Sequence, residues 1–176
     1  MTQQADDVYE QMQPLYLAVG YVIVNWGFIE DLLSISSDLI YHECGGKRLT
    51  KQMPKFLKEK TKFIAKAVEE IPELAPFKAQ ALNVTGRVIK IKDYREDFAH
   101  STLTKASHDD GVYSFVRLDA KAHAHQAREW KFDVREFPQM AAEIGKLIDD
   151  GQAFCSALAD AFAIEGGRKA RKGAGE

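Results

Sequence analysis

An arginine and a histidine lie five residues apart in the segment YREDFAHS, which contains Arg95 and His100. Histidine can accept or donate a proton near neutral pH, and arginine can stabilise negative charge on a phosphate. A metal-free reaction at a phosphodiester needs these two functions, a proton carrier and a fixed cation. The pair is therefore the first candidate for a catalytic site.

The spacing of this pair constrains the helix that carries it. In a regular α-helix, an offset of five residues rotates two side chains about 140° apart. Either the helix ends near Phe98 and the chain turns His100 back towards Arg95, or two subunits bring their motifs together across a cleft. The sequence leaves both alternatives open.

A purely structural role for the two residues is the competing interpretation. Arg95 falls on an apolar stripe, where it can pair with an acidic residue of the first helix, such as Glu30 or Asp31. His100 can cap the end of its helix. We therefore expect Arg95 to lie inward, near an acidic side chain of helix one or of the equivalent helix of a second subunit.

A second candidate feature is a run of basic residues. Between Lys47 and Lys66 there are eight basic residues and one acidic residue, Glu59. Four of the lysines are predicted to share one helical face: Lys55, Lys58, Lys62 and Lys66. Such a stripe can follow the phosphate backbone of RNA, or it can be a solvated face without a ligand.

Metal and disulfide chemistry have little support in the sequence. Cys44 and Cys155 are far apart and form no CxxC pair, so both are predicted to be free thiols. His123 and His125 alternate, but two histidines without a third ligand nearby are a poor metal site. The sequence predicts neither a metal nor a cofactor.

The elements that must position these residues are mainly helical. Helix one is predicted from about Pro14 to Tyr41, because apolar residues recur at spacings of four and three. These are Leu15, Val19, Val22, Trp26, Ile29, Leu33 and Ile40. A second apolar stripe consists of Phe28, Leu32, Ile35 and Leu39, and a track of small residues consists of Gly20, Val24, Gly27 and Ser34. A helix so widely apolar is central or dimeric, so we expect a two-fold homodimer.

The rest of the chain is predicted to form two further helices, a hairpin and a closing helix. The predicted bounds are about 52–71 for helix two, with Pro54 in its first turn, from about Leu74 for helix three, and about 138–164 for the last helix. Residues 101–111 are predicted as a loop ending in Asp110-Gly111, and 111–118 and 127–134 as the strands of a β-hairpin. Trp26, Phe28 and Trp130 are expected in the core.

These elements predict an all-α fold with a small β-hairpin inserted before the last helix. One domain is expected over residues 1–165, followed by a flexible basic tail over 166–176 that contains Arg168, Lys169, Arg171 and Lys172. The net charge of −2 argues against binding nucleic acid over the whole surface but leaves room for a local basic patch.

The sequence favours a cytoplasmic location. Polar residues interrupt the apolar stretch from Leu15 to Phe28, which is therefore predicted not to cross a membrane. The N-terminal residues MTQQADDVYE are acidic and lack the features of a secretory signal.

The motif and the order of the elements resemble the HEPN superfamily of ribonuclease-like and abortive-infection-like proteins. The resemblance rests on Arg95 and His100, on the WGFIE segment of the long first helix, and on the hairpin before the closing helix. It covers roughly residues 14–164 and implies an up-and-down bundle of about four or five helices. Glu96 stands where active relatives usually have Asn, Asp or His, and Ser101 stands where a glycine often follows the histidine.

The resemblance implies a metal-independent endoribonuclease or RNA-binding protein that acts in stress or phage defence, including toxin–antitoxin systems. His100 would activate the ribose 2′-hydroxyl or protonate the leaving oxygen, and Arg95 would hold the phosphate. Glu96 would be a third catalytic residue, with Glu30 in support. The implied partners are RNA, a second copy of the chain, and an antitoxin or other defence-system protein. The alternative function is a non-catalytic dimeric helical interaction module.

Overall fold

A computed structural model of the protein describes residues 3–121 and 124–162, and the side chains of 9–118 and 126–162. Within these ranges the chain forms four α-helices and three β-strands. The helices are α1, Gln3–His42; α2, Leu57–Glu70; α3, Lys78–His100; and α4, Phe137–Ala161. The strands are β1, Thr102–Ser107; β2, Val112–Lys121; and β3, Ala124–Asp133. The prediction of a mainly helical chain with a small sheet before its last helix is confirmed.

The described residues form two compact units. The first unit is built from the described parts of Met1–Trp26 and Lys90–Gly145, and the second from those of Gly27–Ile89 and Lys146–Glu176. The helices α1, α3 and α4 each contribute residues to both units. A single domain over residues 1–165 stays a prediction, and the tail over 166–176 lies outside the described residues.

The first helix follows the predicted apolar spacing but begins earlier than expected. α1 starts at Gln3 rather than near Pro14, so that this proline lies inside the helix. The predicted core face is buried at Leu15, Val22, Trp26, Ile29, Leu33 and Ile40. The prediction that Phe28 lies in the core is wrong, since its side chain is 56% exposed. The reason is geometric: Phe28 is rotated about 200° around the helix from Trp26, so the two cannot face the same core.

The segment Tyr9–His42 of α1 is long and apolar enough to cross a membrane by length and composition. This segment is longer than the stretch from Leu15 to Phe28, because further apolar residues follow on the C-terminal side of the helix. Core helices of water-soluble proteins share this length and composition. A cytoplasmic location therefore stays a prediction.

The start of α2 is set by a side chain of its own first turn. The Glu59 carboxylate Oε2 accepts hydrogen bonds from the backbone N–H groups of Lys55, at 3.2 Å, and Phe56, at 3.3 Å. These bonds satisfy donors that no helical carbonyl could reach, so the helix begins at Leu57. The predicted start near residue 52, with Pro54 in the first turn, is wrong.

The start of α3 also differs from the prediction. A short 3-10 helix over Pro72–Phe77 occupies the place where helix three was predicted to begin, and α3 starts at Lys78. This turn contains Pro72 and Pro76, which have no backbone N–H group to donate. The predicted stripe of α3 is buried at Ala81, Val84, Val88, Ile91 and Phe98.

The second unit has a closely packed apolar core to which both cysteines belong. Ile64, Leu74 and Phe154 are among its buried side chains. Cys44 and Cys155 are buried free thiols, as the sequence predicted. Burial raises the pKa of the Cys44 thiol to about 11 and also raises the pKa of Cys155. Both side chains are therefore neutral core residues rather than reactive thiolates.

The sheet has three antiparallel strands in the order β1-β2-β3 rather than the two strands of a hairpin. The prediction of a loop over residues 101–111 is wrong, because Thr102–Ser107 pairs with β2. Thr104 forms a bulge in this ladder, and its hydroxyl donates to the backbone carbonyl of Ser114 at 3.1 Å. The predicted turn at Asp110-Gly111 is present, with Gly111 at φ 66°.

Candidate functional site

The structure brings the side chains of Arg95 and His100 together at the C-terminal end of α3. The distance from Arg95 Nη1 to His100 Nε2 is 3.3 Å. α3 remains helical to His100, so the alternative in which it ends near Phe98 is wrong. The contact forms because the long arginine side chain reaches across the five-residue offset, and within the described chain it needs no second subunit.

Arg95 is less buried than predicted. Its side chain is half-buried and His100 is exposed, so the pair lies at the surface of the first unit. A guanidinium has only donors, so a hydrogen bond at this contact has His100 Nε2 as its acceptor. The pair places an imidazole beside a cation.

Glu30, the predicted supporting residue, belongs to the second unit. It lines a surface depression there together with Lys55 and Lys60. Its support of Arg95, and the pairing of Arg95 with an acid of α1, stay predictions.

Glu96 is held by two basic side chains. Lys92 Nζ lies 2.6 Å from its Oε1 atom, and Arg117 Nη2 lies 3.5 Å from its Oε2 atom. The hydrogen bond from Lys92, with a further one from Arg117, lowers the pKa of the Glu96 carboxyl despite its partial burial. Because these contacts stabilise the ionised carboxylate and engage both of its oxygens, they favour a positioning role.

Asp97 joins α3 to the sheet through two arginines. Its Oδ1 atom lies 3.3 Å from Arg117 Nη1 and also pairs with Arg128 Nη2. Only 15% of the Asp97 side chain is exposed, against 48% for Arg128. The acid is thus largely buried, whereas about half of the Arg128 side chain is exposed.

An aromatic cluster fixes the end of α3 against the strands. Phe98 makes edge-to-face contacts with Phe115, Trp130 and Phe132 at ring-centroid distances between 5.1 and 6.2 Å. Trp130 stacks on Phe115, and its Nε1–H donates to the Ser101 hydroxyl at 2.9 Å. These contacts anchor the residues on both sides of His100. Trp130 was predicted to lie in the core, but its side chain is only half-buried.

No protein-family model, curated protein or solved structure matches the chain. What the site can do chemically therefore follows from its own groups. An exposed imidazole can exchange a proton near neutral pH, and the adjacent guanidinium can bind an anionic oxygen. These are the requirements of metal-free cleavage of a phosphodiester.

The predicted lysine stripe lies in the second unit and is shorter than expected. Lys58, Lys62 and Lys66 are exposed on one face of α2, at intervals of four residues. Lys55 is also exposed but precedes the helix, so its predicted place on that helical face is wrong. Lys66 forms a surface ion pair with Glu70 at 3.9 Å. RNA binding by the stripe stays a prediction.

Among the described residues, no group of three or more His, Cys, Asp and Glu side chains could hold a metal ion. The weak candidate pair His123 and His125 lies outside the described side chains.

Four charged residues that form ion pairs with Glu96 or with one another were not predicted as site residues: Lys92, Asp97, Arg117 and Arg128. One signal was present. Each of the two predicted strands carries an arginine at the end next to the connecting turn. Pairing the strands as a hairpin therefore places Arg117 opposite Arg128. Two like charges in that position destabilise a sheet unless an acid lies between them. Asp97 of α3 supplies that acid.

Proposed function

We propose that the protein is a HEPN-like, metal-independent endoribonuclease that uses Arg95 and His100. The observation that carries this proposal is the 3.3 Å contact between the guanidinium and the imidazole Nε2 atom at an exposed helix end. A purely structural arginine would be expected to pair with a carboxylate, which compensates its charge. Here the guanidinium instead lies against an imidazole, a group that can exchange protons.

In the proposed reaction, the phosphate of the substrate takes over the hydrogen bond of Arg95. This transfer frees the lone pair of His100 Nε2, which accepts the proton of the ribose 2′-hydroxyl. The 2′-oxygen attacks phosphorus and the bond to the 5′-oxygen breaks. A water molecule gives a proton to that leaving oxygen, and His100 returns the proton it accepted to the solvent. The products are a 2′,3′-cyclic phosphate and a 5′-hydroxyl. Arg95 stabilises the charge that develops on the non-bridging oxygens.

The first prediction concerns substrate and metal dependence. Purified protein should cleave single-stranded RNA in the presence of a chelator, because no step needs a metal ion. The matching DNA should survive, since it lacks the attacking 2′-hydroxyl. Gel electrophoresis and end-group analysis measure both outcomes. Cleavage that requires magnesium, or equal cleavage of DNA, would overturn the proposal.

We further propose that the protein is a homodimer. The exposed face of α1 supports this, since Leu17 and Val24 are 61% and 63% exposed. Gly20 lies between them along the same face, and nothing approaches within 4 Å of the position its Cβ would take. Small residues of this kind allow a second helix to pack closely.

The second prediction is therefore a dimer in solution. Light scattering at micromolar concentration should give twice the chain mass of 19.8 kDa. Val24→Lys should give a monomer of unchanged helicity, because a charge at an exposed position disturbs the interface and not the core. A wild-type chain that scatters as a monomer contradicts this prediction.

The same apolar face favours a second candidate function, a non-catalytic interaction module. Such a protein would use α1 to bind a second copy or an antitoxin or defence-system partner, and it would show no RNA cleavage. The chelator experiment separates the two functions. Action in the cytoplasm, in stress or phage defence, belongs to the enzymatic proposal.

A further inference from the structure

Two arginines face each other across the strand pair next to the candidate site. Arg117 and Arg128 are direct partners in the antiparallel ladder of β2 and β3. Opposed like charges destabilise such a pair by themselves. Asp97 offsets this repulsion, because it contacts both guanidiniums from α3.

The described cluster has more positive than negative charge. Lys92, Arg117 and Arg128 contribute three cations, and Glu96 and Asp97 contribute two carboxylates. Arg128 is the most accessible of the three cations, since 48% of its side chain is exposed, against 40% for Lys92 and 21% for Arg117.

This cluster adjoins the Arg95–His100 pair on α3. His100 follows Glu96 by four residues and Asp97 by three, and residues at these intervals are neighbours on a helix surface. If Arg95 holds one phosphate of an RNA strand, the next phosphate of that RNA would thus lie near Arg117 and Arg128. Guanidinium groups suit this ligand because their planar N–H donors match phosphate oxygens.

We propose that Arg117 and Arg128 form a second phosphate-binding subsite, which binds the RNA phosphate next to the one that is cleaved. Asp97 holds the two guanidiniums in place. The proposal rests on the proposed function for its substrate class, but the binding it describes does not depend on cleavage.

The third prediction is that Arg128→Gln weakens RNA binding about tenfold. The probe is a 2′-O-methyl oligouridylate, which has no free 2′-hydroxyl and so cannot be cleaved by the proposed reaction. Fluorescence anisotropy over a range of salt concentrations gives the affinity. The slope of log affinity against log salt should fall by about 0.7, the value for one lost phosphate contact on a single strand. With cleavable RNA, KM should rise about tenfold while kcat stays within about twofold.

Arg135→Gln is the matched control. Arg135 belongs to the same unit and pairs with Asp133, and 75% of its side chain is exposed. The Arg135→Gln variant also loses one positive charge, but at a position outside the cluster. It should change the affinity for RNA less than about twofold. Arg128→Lys keeps the charge beside Asp97, so it should retain most of the salt slope. It also tests the subsite if the glutamine variant does not fold.

The outcomes separate this proposal from the proposed function. Equal affinities and slopes for Arg128→Gln and Arg135→Gln overturn the subsite, even if the wild type cleaves RNA. Weaker binding by Arg128→Gln alone, in a protein that does not cleave RNA, supports the subsite and overturns the nuclease. A wild type that binds no RNA at micromolar concentration overturns both.

Discussion

Replacing His100 by alanine is expected to lower RNA cleavage at least about a hundredfold while leaving the melting temperature nearly unchanged. Proton transfer by a positioned side chain typically contributes two to four powers of ten to the rate. The fold should tolerate the change because the His100 side chain is exposed. Initial cleavage rates and thermal melting followed by circular dichroism measure the two effects.

His42 provides the matched control for this variant. It is an exposed histidine at the last position of α1, as His100 is at the last position of α3. His42→Ala should therefore reproduce any general effect of losing a histidine at a helix end, without loss of cleavage. Arg95→Ala should lower both activity and stability, because Arg95 is half-buried on the apolar stripe. Full activity in His100→Ala, or an equal loss in His42→Ala, would contradict the assignment.

Phe98→Ala is expected to lower the free energy of unfolding by about 3–5 kcal/mol. The side chain is 8% exposed and contacts the rings of Phe115, Trp130 and Phe132. Its removal leaves a cavity and breaks three aromatic contacts between α3 and the sheet. Urea denaturation followed by circular dichroism measures the change.

An exposed phenylalanine serves as the control for this prediction. Phe56 is 71% exposed, so Phe56→Ala should change the free energy of unfolding by less than about 0.5 kcal/mol. A loss below about 1 kcal/mol in Phe98→Ala would mean that the aromatic cluster does not anchor the end of α3.

Elements with strong side-chain periodicity were predicted well from the sequence. The spacing of four and three in α1 identified a face on which Val22, Trp26 and Ile29 are buried. The alternation around Phe132 identified β3, although the strand begins before the predicted position. In both elements one face packs against apolar neighbours, so the buried positions carry apolar residues. Their regular spacing can therefore be read from the sequence.

Elements that depend on backbone pairing or on one local contact were not predictable in the same way. β1 has the sequence TLTKAS, and its side chains are exposed or half-exposed. Its strand conformation comes from hydrogen bonds to β2 rather than from burial of an apolar face. Likewise, α2 begins where Glu59 can accept the N–H groups of Lys55 and Phe56, and periodicity does not reveal that position.

By itself, the sequence determined the mainly helical class, the core face of α1 and the presence of Arg95 and His100 near the end of α3. The tertiary structure decided what surrounds that pair. Hydrogen bonds between strands place Arg117 opposite Arg128, and packing of Phe98 on the sheet brings Asp97 to both arginines. Ion pairs of this kind join residues far apart in the chain and leave no periodic signal. The charge next to the candidate site therefore depends on the register of the strands and on the docking of one helix.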